Sequence, residues 1–471
     1  MIKNYKFKTE PYNHQLEALE KSWDRKTYAL FMEMGTGKSK VLVDNIAILY
    51  DRGLIRGAVI VAPKGVYKNW DEIELPVHMP DHIEYTKVLW EPNLTKKKKV
   101  EFETLFEGDG KLKILIINVE AFSTTKGLDF TERFLNMLCG RALMGIDEST
   151  TIKNPTAKRT KNILKIGNLA NYRRILTGSP VTKAPLDLFS QCAFLDKEHL
   201  GQGSYYSFRT RYAEMVERYF GGHRVKIVKQ YINLSELSEL LNCFSYRVLK
   251  EDCLDLPEKN YTKRILEMTD EQQQIYNQLK RLAVAMCGDK LMTTQHVMTQ
   301  LMRMHQVTCG HFKADDGQVT HLKNNRVSSL MQLLEETDGK VIIWATYVED
   351  IKNIVAALKK AYGDDSTVEY HGSVDPKVRQ EQIALFQEKN GPARYFVGNP
   401  QTGGYGITLT AANTVIYYSN SYDLEKRLQS EDRAHRIGQK NNVTYIDIIT
   451  RQTIDEFIIK ALNKKRVKQK I

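Results

Sequence analysis

The sequence predicts an α/β protein in which two lobes, each built on a parallel β-sheet, follow one another with helical insertions between and upon them. Two observations predict this fold. Short apolar runs alternate with helix-length amphipathic segments early in the chain, at residues 58–62, 113–119, 143–146 and 174–176, and the alternation resumes at residue 340. Apolar runs of this length between helical segments are typical of parallel strands covered on both faces, with ligands at the carboxyl ends of the strands.

Length, charge and cysteine usage restrict the class of protein. The chain has 471 residues, enough for two or three domains, and its 69 Lys and Arg against 57 Asp and Glu give a formal charge of +12. Such an excess suits an anionic partner, either a polyphosphate or a nucleic acid. The six cysteines include no CxxC pair, so neither a disulfide framework nor a zinc ribbon is indicated.

No segment of the sequence predicts export or membrane insertion. The opening MIKNYKFKTE lacks an apolar signal core, and no apolar run approaches the ~18–20 residues of a membrane span. We therefore expect an intracellular, soluble protein without a membrane partner. Its expected location is the cytoplasm of a bacterial or phage-infected cell. The basic end KKRVKQK is interpreted as a solvated helix tail, although a nuclear location is not excluded.

A helix pattern begins around Gln15, just before the first strand. A glutamine amide carries both a donor and an acceptor, which is what reading an adenine edge requires, and Tyr12 could stack on the base. Taken alone, this glutamine is better interpreted as a surface helix residue.

The segment MGTGKS lies between an apolar run and a helix pattern and is interpreted as a phosphate-binding loop. Its candidate nucleotide-binding residues are Gly35, Thr36, Gly37, Lys38 and Ser39. The glycines permit a tight turn whose N–H groups cradle a polyphosphate, and the following helix directs its positive end there. The lysine can reach the terminal phosphates and the serine hydroxyl can ligate Mg²⁺. Met32 replaces the first glycine of the GxxxxGK[ST] template, so a glycine-rich helix cap is the alternative.

Two carboxylates, Asp147 and Glu148, follow directly on the apolar run LMGI. Carboxylates at the end of a strand are costly unless a metal or a reaction uses them. Asp147 would hold Mg²⁺ through water, and Glu148 would orient and deprotonate the attacking water. An ordinary acidic loop is the alternative.

The next run ends in LTGSP, whose hydroxyls belong either to a plain turn or to a link between the phosphate site and a neighbouring lobe.

Two segments of the second alternating region bear on chemistry. QTGGYGITLTAAN resembles a backbone-rich anion site with Gly404 and Gly406, and QSEDRAHRIGQ places Gln429, Arg433 and Arg436 on a predicted helix. Because the arginines are three residues apart, we expect both guanidinium groups on one face. Such a helix is commonplace, but the phosphate loop upstream favours an arginine supplied to a triphosphate from a second lobe.

Taken together and in this order, the motifs resemble those of the superfamily-two helicases: PYNHQ, MGTGKS, VAPKGVYKNW, DEST with TIKNP, LTGSP, YHGS, TGGYGITL and QSEDRAHRIGQ. The ending DRAHRIGQ is similar to that of the Swi/Snf-type ATPases, double-stranded DNA translocases that include chromatin remodellers. The resemblance covers roughly residues 8–462, although DEST replaces the commoner DEAH or DEGH, and Ser179 a usual threonine.

The resemblance implies two RecA-like lobes that use ATP with Mg²⁺ and bind double-stranded DNA. By position it implies that Gln15 contacts the adenine and that Lys38 and Ser39 bind the phosphates and Mg²⁺. It further implies that Asp147 and Glu148 are the carboxylate pair and that Arg433 and Arg436 are arginine fingers. The residues in motifs that contact the DNA backbone in this family are Lys64, Asn118 and Thr402.

The resemblance also assigns the segments between the motifs. YRVLKEDCLDLPEKN is similar to the family's lobe-crossing linker, and LMRMHQVTCGH to its helical segment ending in Cys and His. Independently of the resemblance, the trio His305, Cys309 and His311 could be metal ligands, but no second cluster accompanies it, so it is interpreted as a helix end in a core. The expected domains are an ATP-binding lobe at 1–190 and a helical insertion at 191–250. The linker with a second helical insertion is expected at 251–325, and a second lobe with the arginine fingers at 326–471.

From these residues we expect an ATPase that moves along duplex DNA without separating its strands, by opening and closing of its lobes. Among enzymes, the alternative is a strand-separating DNA or RNA helicase. Outside enzymes, the alternative is a DNA-binding scaffold with a structural nucleotide site. We expect a minimal motor without accessory domains, whose protein partners and biological task the sequence does not name.

Overall fold

A computed structural model describes residues 2, 5–92, 95–181, 184–220, 223–288, 294–313, 317–403 and 407–469. The chain divides into two units, of which the first comprises Met1–Phe220 and Arg224–Asp255, and the second Gly221–His223 and Leu256–Ile471. Each unit contains its own parallel sheet. The predicted α/β class with two parallel-sheet lobes is therefore confirmed.

The first unit is built on a seven-stranded parallel sheet with strand order β3-β4-β2-β5-β6-β1-β9, and strands β7 and β8 form a separate two-stranded sheet. The four apolar runs of the sequence coincide with β2, β4, β5 and β6. The strands are β1 Thr27–Met32, β2 Gly57–Ala62, β3 Tyr85–Leu89, β4 Leu112–Asn118, β5 Ala142–Asp147, β6 Tyr172–Leu176, β7 Ala213–Phe220, β8 His223–Tyr231 and β9 Ser245–Val248.

Helices cover both faces of the first sheet. They are α1 Asn13–Ser22, α2 Lys38–Asp51, α3 Tyr67–Asn69, α4 Leu75–His78, α5 Lys96–Glu103, α6 Thr125–Met137, α7 Lys158–Gly167, α8 Leu188–Leu195, α9 Tyr205–Tyr212, α10 Leu234–Phe244 and α11 Lys250–Cys253. Successive residues of β2 enter different cores: Val59 and Val61 pack in one, and Ala58 and Ile60 in the other. Burial on both faces explains why these strands are continuous apolar runs without a polar alternation.

The segment 191–250, expected to be a helical insertion, contains α9 and α10 but also three strands. Strand β9 pairs in parallel with β1, with Met32 level with Val248, so the first sheet is completed by residues beyond the expected boundary at 190. The short sequence SYRV carries little strand signal of its own. Its Tyr246 and Val248 become buried only through the neighbouring strand and core, which is a tertiary effect.

The second unit is built on a six-stranded parallel sheet with strand order β10-β17-β16-β13-β15-β14, and β11 and β12 form a short antiparallel pair. The strands are β10 Lys259–Leu266, β11 His311–Lys313, β12 Val319–His321, β13 Lys340–Trp344, β14 Thr367–Tyr370, β15 Tyr395–Gly398, β16 Ala412–Tyr417 and β17 Val443–Thr450. The helices are α12 Asp270–Gly288, α13 Thr294–Cys309, α14 Arg326–Glu335, α15 Val348–Tyr362, α16 Pro376–Gln387, α17 Pro400–Gly403, α18 Leu424–Glu431 and α19 Ile454–Gln469.

Helix α13 ends at Cys309, in a buried environment. His305 shares a hydrogen bond of 2.9 Å with the Tyr347 hydroxyl, and His311 Nδ1 lies 3.0 Å from Asp350 Oδ1. Within the described ranges, no group of three or more His, Cys, Asp or Glu side chains could hold a metal ion. His305 and Cys309 are thus buried on the last turns of α13, and His311 is buried just beyond it at the start of β11. None of the described helices is both long and apolar enough to cross a membrane.

Candidate nucleotide and nucleic-acid sites

The carboxyl ends of five neighbouring strands meet at one edge of the first sheet. Asn118 at the end of β4 is level with Ala62 of β2, and Asp147 at the end of β5 is level with Leu176 of β6. Leu176 is in turn level with Leu30 of β1. Because all these strands are parallel, the segments that leave them emerge side by side. The phosphate loop, the carboxylate pair and the LTGSP segment therefore share one edge.

The phosphate loop connects β1 to α2 through two glycines in the left-handed region. Gly35 has φ +82° and Gly37 has φ +87°, a conformation that glycine adopts at no steric cost. The Thr36 hydroxyl donates to the Glu33 carbonyl oxygen at 2.7 Å, and the Lys38 ammonium donates to the same oxygen at 3.4 Å. Lys38 is the first residue of α2, so its backbone lies at the positive end of that helix.

The sequence departure at Met32 has a structural explanation. Met32 is the last residue of β1, and its side chain is fully buried in a core. The tight turn begins two residues later and takes its left-handed conformations from Gly35 and Gly37. The missing template glycine therefore removes no part of the turn.

Gln15 is buried and holds the phosphate loop. Its Nε2 donates to the Thr36 carbonyl oxygen at 3.0 Å, and its Oε1 accepts from the Tyr12 backbone N–H at 3.1 Å. The His14 ring donates to the same carbonyl at 2.8 Å. Both polar ends of the amide are thus engaged by protein, while the Tyr12 ring is half exposed. Reading of an adenine edge by Gln15 stays a prediction.

We expect Gly37→Ala to weaken nucleotide binding by roughly tenfold or more, equivalent to ~1.4 kcal/mol. A Cβ at this position would lie 2.2 Å from Gln15 Nε2, so the amide must leave the Thr36 carbonyl. The matched control is Gly53→Ala, which has the same left-handed strain at φ +67° but nothing within 4 Å of the new Cβ. Fluorescent-nucleotide titration and thermal melting of both variants measure the difference. Equal nucleotide affinities would show that contact with Gln15 does not shape the site.

The Asp147 carboxylate is buried at the end of β5 and is held from two sides. Trp70 Nε1 donates to Oδ2 at 2.9 Å, and the Glu148 backbone N–H donates to Oδ1 at 3.0 Å. Burial raises the pKa of Asp147, and the positive charge of Lys38 opposes that rise. Glu148 follows in the left-handed region, with φ +48°, which turns the chain sharply away from the strand. The pair therefore combines one fixed carboxylate with one at a strained turn.

A buried glutamine joins the carboxylate segment to the LTGSP segment. The Ser149 hydroxyl donates to Gln191 Oε1 at 2.7 Å, and Gln191 Nε2 donates to the Pro180 carbonyl oxygen at 2.8 Å. A Cβ at Gly178 would lie 3.0 Å from the backbone nitrogen of Met34, so LTGSP also packs against the phosphate loop. The three segments at this edge are therefore mechanically connected.

In the second unit, Arg433 and Arg436 converge on one acceptor. Their Nη1 atoms donate to the Ile407 carbonyl oxygen at 3.1 and 3.3 Å. They were expected on a helix, but α18 ends at Glu431, and both arginines lie in the turns that follow. Beyond the end of the helix, the Arg433 carbonyl accepts from the Leu409 backbone N–H at 2.9 Å. The shared acceptor, and not a helix face, brings the two side chains together.

Glu431, two residues before Arg433 in the chain, is fully buried in a cluster of donors. Its carboxylate accepts from Arg427 at 2.9 Å, from Arg466 at 2.6 Å and from the Tyr261 hydroxyl at 2.8 Å. Burial alone would raise the pKa of Glu431, but Arg427, Arg466 and Lys259 outweigh it and hold the pKa below its usual value. Glu431 thereby ties α18 to β10 and α19, and fixes the start of the arginine segment.

We expect Glu431→Gln to lower the free energy of unfolding at neutral pH by ~3 kcal/mol, because Arg427 and Arg466 lose their shared carboxylate, although Arg427 retains its ion pair with Asp447. Because the pKa of Glu431 is lower in the folded protein than its unfolded value of 4.5, the ionised carboxylate stabilises the fold above that value. This stabilisation is lost as the pH falls through the folded pKa, so the difference in unfolding free energy between the parent and the variant should shrink in acid. The control is Glu336→Gln, whose exposed carboxylate pairs with Arg264 at 3.4 Å. Denaturant unfolding from pH 3 to pH 7 is the measurement. An equal effect of both variants would contradict the anchoring role.

Two other candidate residues of the second unit, Gln429 and Thr402, make their own local contacts. Gln429 is buried on α18 and donates to Glu425 Oε1 at 3.4 Å. Thr402 is half-buried on the short helix α17, and its backbone N–H donates to the Asn399 carbonyl oxygen at 3.1 Å. Gly404 and Gly406 lie outside the described residues.

Two family models match the chain. The SNF2-related domain matches residues 14–313, which is more than half of the chain, and the helicase conserved C-terminal domain matches residues 323–438. The chain belongs to the SNF2-related family. This match agrees with the resemblance inferred from the ordered motifs.

SNF2-related proteins from distant organisms are similar over most of the chain. YwqA of Bacillus subtilis, whose name describes an ATP-dependent helicase/translocase, is 26% identical over 456 residues, which is 92% of this chain and 45% of YwqA. The transcription regulatory protein SNF2 of Saccharomyces cerevisiae is 24% identical over 458 residues, 92% of this chain and 26% of SNF2. The chain spans less than half the length of these curated relatives.

A solved SNF2-related structure is also similar. The SWI2/SNF2 ATPase core of Sulfolobus solfataricus in complex with dsDNA has 22% sequence identity and a TM-score of 0.44, over 98% of this chain and 92% of that chain.

Three residues of this SNF2-related chain that hold the candidate sites were not singled out from the sequence. Trp70 lies in VAPKGVYKNW and donates to Asp147. A buried indole N–H needs a hydrogen-bond acceptor, and this general requirement could have pointed to a polar partner for Trp70. Gln191 and Glu431 carried no comparable signal, because each acquires its role from partners far away in the chain.

Proposed function

We propose that this SNF2-related chain hydrolyses ATP and uses the energy to move along double-stranded DNA without separating its strands. The observation that carries the ATPase part is the shared edge of the first sheet, where the phosphate loop and the carboxylate pair emerge from β1 and β5, the two parallel neighbours of β6. Family membership implies use of ATP, since the relatives include a protein named as ATP-dependent. Translocation is supported by the name of the same relative.

We assign the binding of the triphosphate to the first unit. The left-handed glycines aim backbone N–H groups into the loop, and Lys38 exchanges its contact with the Glu33 carbonyl for the terminal phosphates. The oxygen donors of Ser39 and Asp147 suit Mg²⁺, and a cation there would offset the cost of burying the Asp147 carboxylate. Mg²⁺, when bound, would neutralise charge on the phosphate oxygens. Gln15 would contact the adenine.

Hydrolysis is assigned to Glu148 together with the arginines of the second unit. Glu148 would accept a proton from the attacking water. Asp147, which is fixed by Trp70, would hold the backbone of Glu148 in position. Arg433 and Arg436 would stabilise the charge that develops on the transferred phosphoryl group. We also assign nucleotide contacts to Gln429, Gly404 and Gly406.

We assign DNA contact to three residues at the carboxyl ends of strands. Lys64 is exposed two residues beyond β2, and Asn118 ends the adjacent strand β4, with its amide 3.1 Å from Glu120 Oε2. Thr402 follows β15 in the second unit. Contacts of this kind bind the DNA backbone, so binding should be strongly salt-dependent and little dependent on sequence.

We expect duplex DNA to stimulate ATP hydrolysis more than single-stranded DNA or RNA does. Turnover is measured without polymer and with each of the three polymers at matched nucleotide concentration. Strand-displacement and triplex-displacement assays then separate the motors, because a duplex translocase displaces the third strand and leaves the duplex paired. Equal or greater stimulation by RNA, or efficient strand displacement, would favour a strand-separating helicase instead.

A further inference from the structure

Strands β7 and β8 form a two-stranded ribbon, here called the basic ribbon (213–220 and 223–231), whose base is anchored and whose outer part is exposed. Met215, Val228 and Tyr231 at the base pack against a core of the first unit. Towards the outer end the side chains are exposed, and the Tyr219 ring is 67% exposed. The outer part of the ribbon is therefore accessible to a partner from outside the chain.

Side-chain contacts define the register of the basic ribbon. Glu214 pairs with Lys229 at 2.7 Å, and Glu217 with Lys226 at 3.7 Å. The Arg224 guanidinium lies over the Tyr219 ring at 5.5 Å. In each pair the residue numbers have the same sum, which is the signature of two antiparallel strands with directly opposed residues. Arg218 is therefore opposite Val225.

This register places the two outer arginines on opposite faces. Side chains alternate between the faces of a strand, so Tyr219 with Arg224 lies on one face and Arg218 with Val225 on the other. Both glutamates of the ribbon are already paired with lysines. Among the described residues, none forms an ion pair with Arg218 or Arg224. The outer end thus presents one positive charge on each face.

We propose that the basic ribbon docks in a groove of duplex DNA, with Arg218 and Arg224 each contacting one of the two phosphate chains that border the groove. A two-stranded ribbon fits the major groove of B-DNA, about 12 Å wide, and a positive charge on each face matches two negatively charged walls. The exposed Tyr219 would lie against sugar or base edges. The inference rests on the proposed function, since duplex DNA is taken as the partner of the motor.

The test is the double variant Arg218→Ser with Arg224→Ser. Equilibrium binding to a labelled duplex is measured at several salt concentrations, alongside the DNA concentration that half-maximally stimulates ATPase activity. We expect affinity to fall about tenfold or more near 0.1 M salt and the slope of log K against log salt to become shallower by about 2, roughly 0.9 per lost phosphate contact. Turnover at saturating DNA should be unchanged, because neither arginine is among the residues assigned to the nucleotide site.

The matched control is Lys359→Ser with Lys360→Ser, which removes the same net charge from exposed positions of α15 in the second unit. A second variant, Arg218→Lys with Arg224→Lys, keeps the charge and should bind DNA nearly as the parent does. Melting temperatures show that each variant is folded. Unchanged affinity and slope in the serine variant, or equal losses in the control, would overturn the docking proposal. Absence of DNA-stimulated turnover in the unaltered protein would instead overturn the proposed function.

Discussion

Replacing Arg436 by alanine should leave ATP and duplex DNA binding near their original values and slow ATP turnover by about 10³–10⁵-fold. An arginine finger acts on charge that develops in the transition state, so its loss affects turnover far more than ground-state binding. Arg436→Lys should restore little, because an ammonium lacks the planar guanidinium fork. Arg436 is a better test than Arg433, since Arg433 is 4% exposed and its truncation would leave a buried cavity.

The control for this variant is Arg451→Ala, which removes an exposed arginine of the second unit paired with Glu267 at 3.1 Å. Nucleotide binding, DNA binding, melting and turnover are measured on both proteins. Arg436 also donates to the Ile407 carbonyl, so a structural role is a real alternative. A joint loss of melting temperature and DNA binding would support that alternative, and near-normal turnover would remove Arg436 from the reaction altogether.

Glu148→Gln should retain ATP binding and lose about 10²–10⁴-fold in turnover, because the amide keeps the shape of the side chain but cannot accept a proton from water. Both residues bear the same backbone strain at φ +48°, so the variant leaves the turn intact. Lys38→Ala should behave differently, with weakened binding of the phosphates themselves. Single-turnover hydrolysis and nucleotide titration distinguish the two effects.

The matched control for Glu148→Gln is Glu101→Gln, an exposed glutamate of α5 in the same unit. It should hydrolyse ATP normally. If Glu148→Gln also turned over normally, the base would have to be sought elsewhere at the same sheet edge. If it lost nucleotide binding instead, the carboxylate would be needed for the ground state and not for proton transfer.

Those features whose physical cause is local could be predicted from the sequence. The runs at 58–62 and 113–119 become central strands because they are apolar on both faces, and the polar segments after them emerge at the carboxyl edge by the geometry of parallel strands. Gly35 and Gly37 were predicted as turn residues and do adopt positive φ. The family resemblance followed from the order of such segments.

Features that depend on distant partners could not be predicted. The end of α18 before Arg433 and the register of the basic ribbon became evident only from the structure. Helical periodicity in QSEDRAHRIGQ continues past the last residue of the helix, because the spacing of side chains does not show where tertiary contacts override helix formation. Gln15 was identified as a candidate, but its contact with Thr36 became evident only from the folded loop.

Strand β9 has a consequence for the synthesis of the chain. It forms the outer neighbour of β1, and the Lys250 backbone N–H just beyond it donates to Glu33 Oε2 at 2.8 Å, beside the phosphate loop. While the nascent polypeptide leaves the ribosome, β1 can pair with β6 once Leu176 has emerged, but its other side stays open until Val248 follows. At 5–20 residues per second that interval lasts on the order of ten seconds. An open strand edge is a template for wrong pairing, so we expect the newborn first unit to be prone to mispairing during this interval.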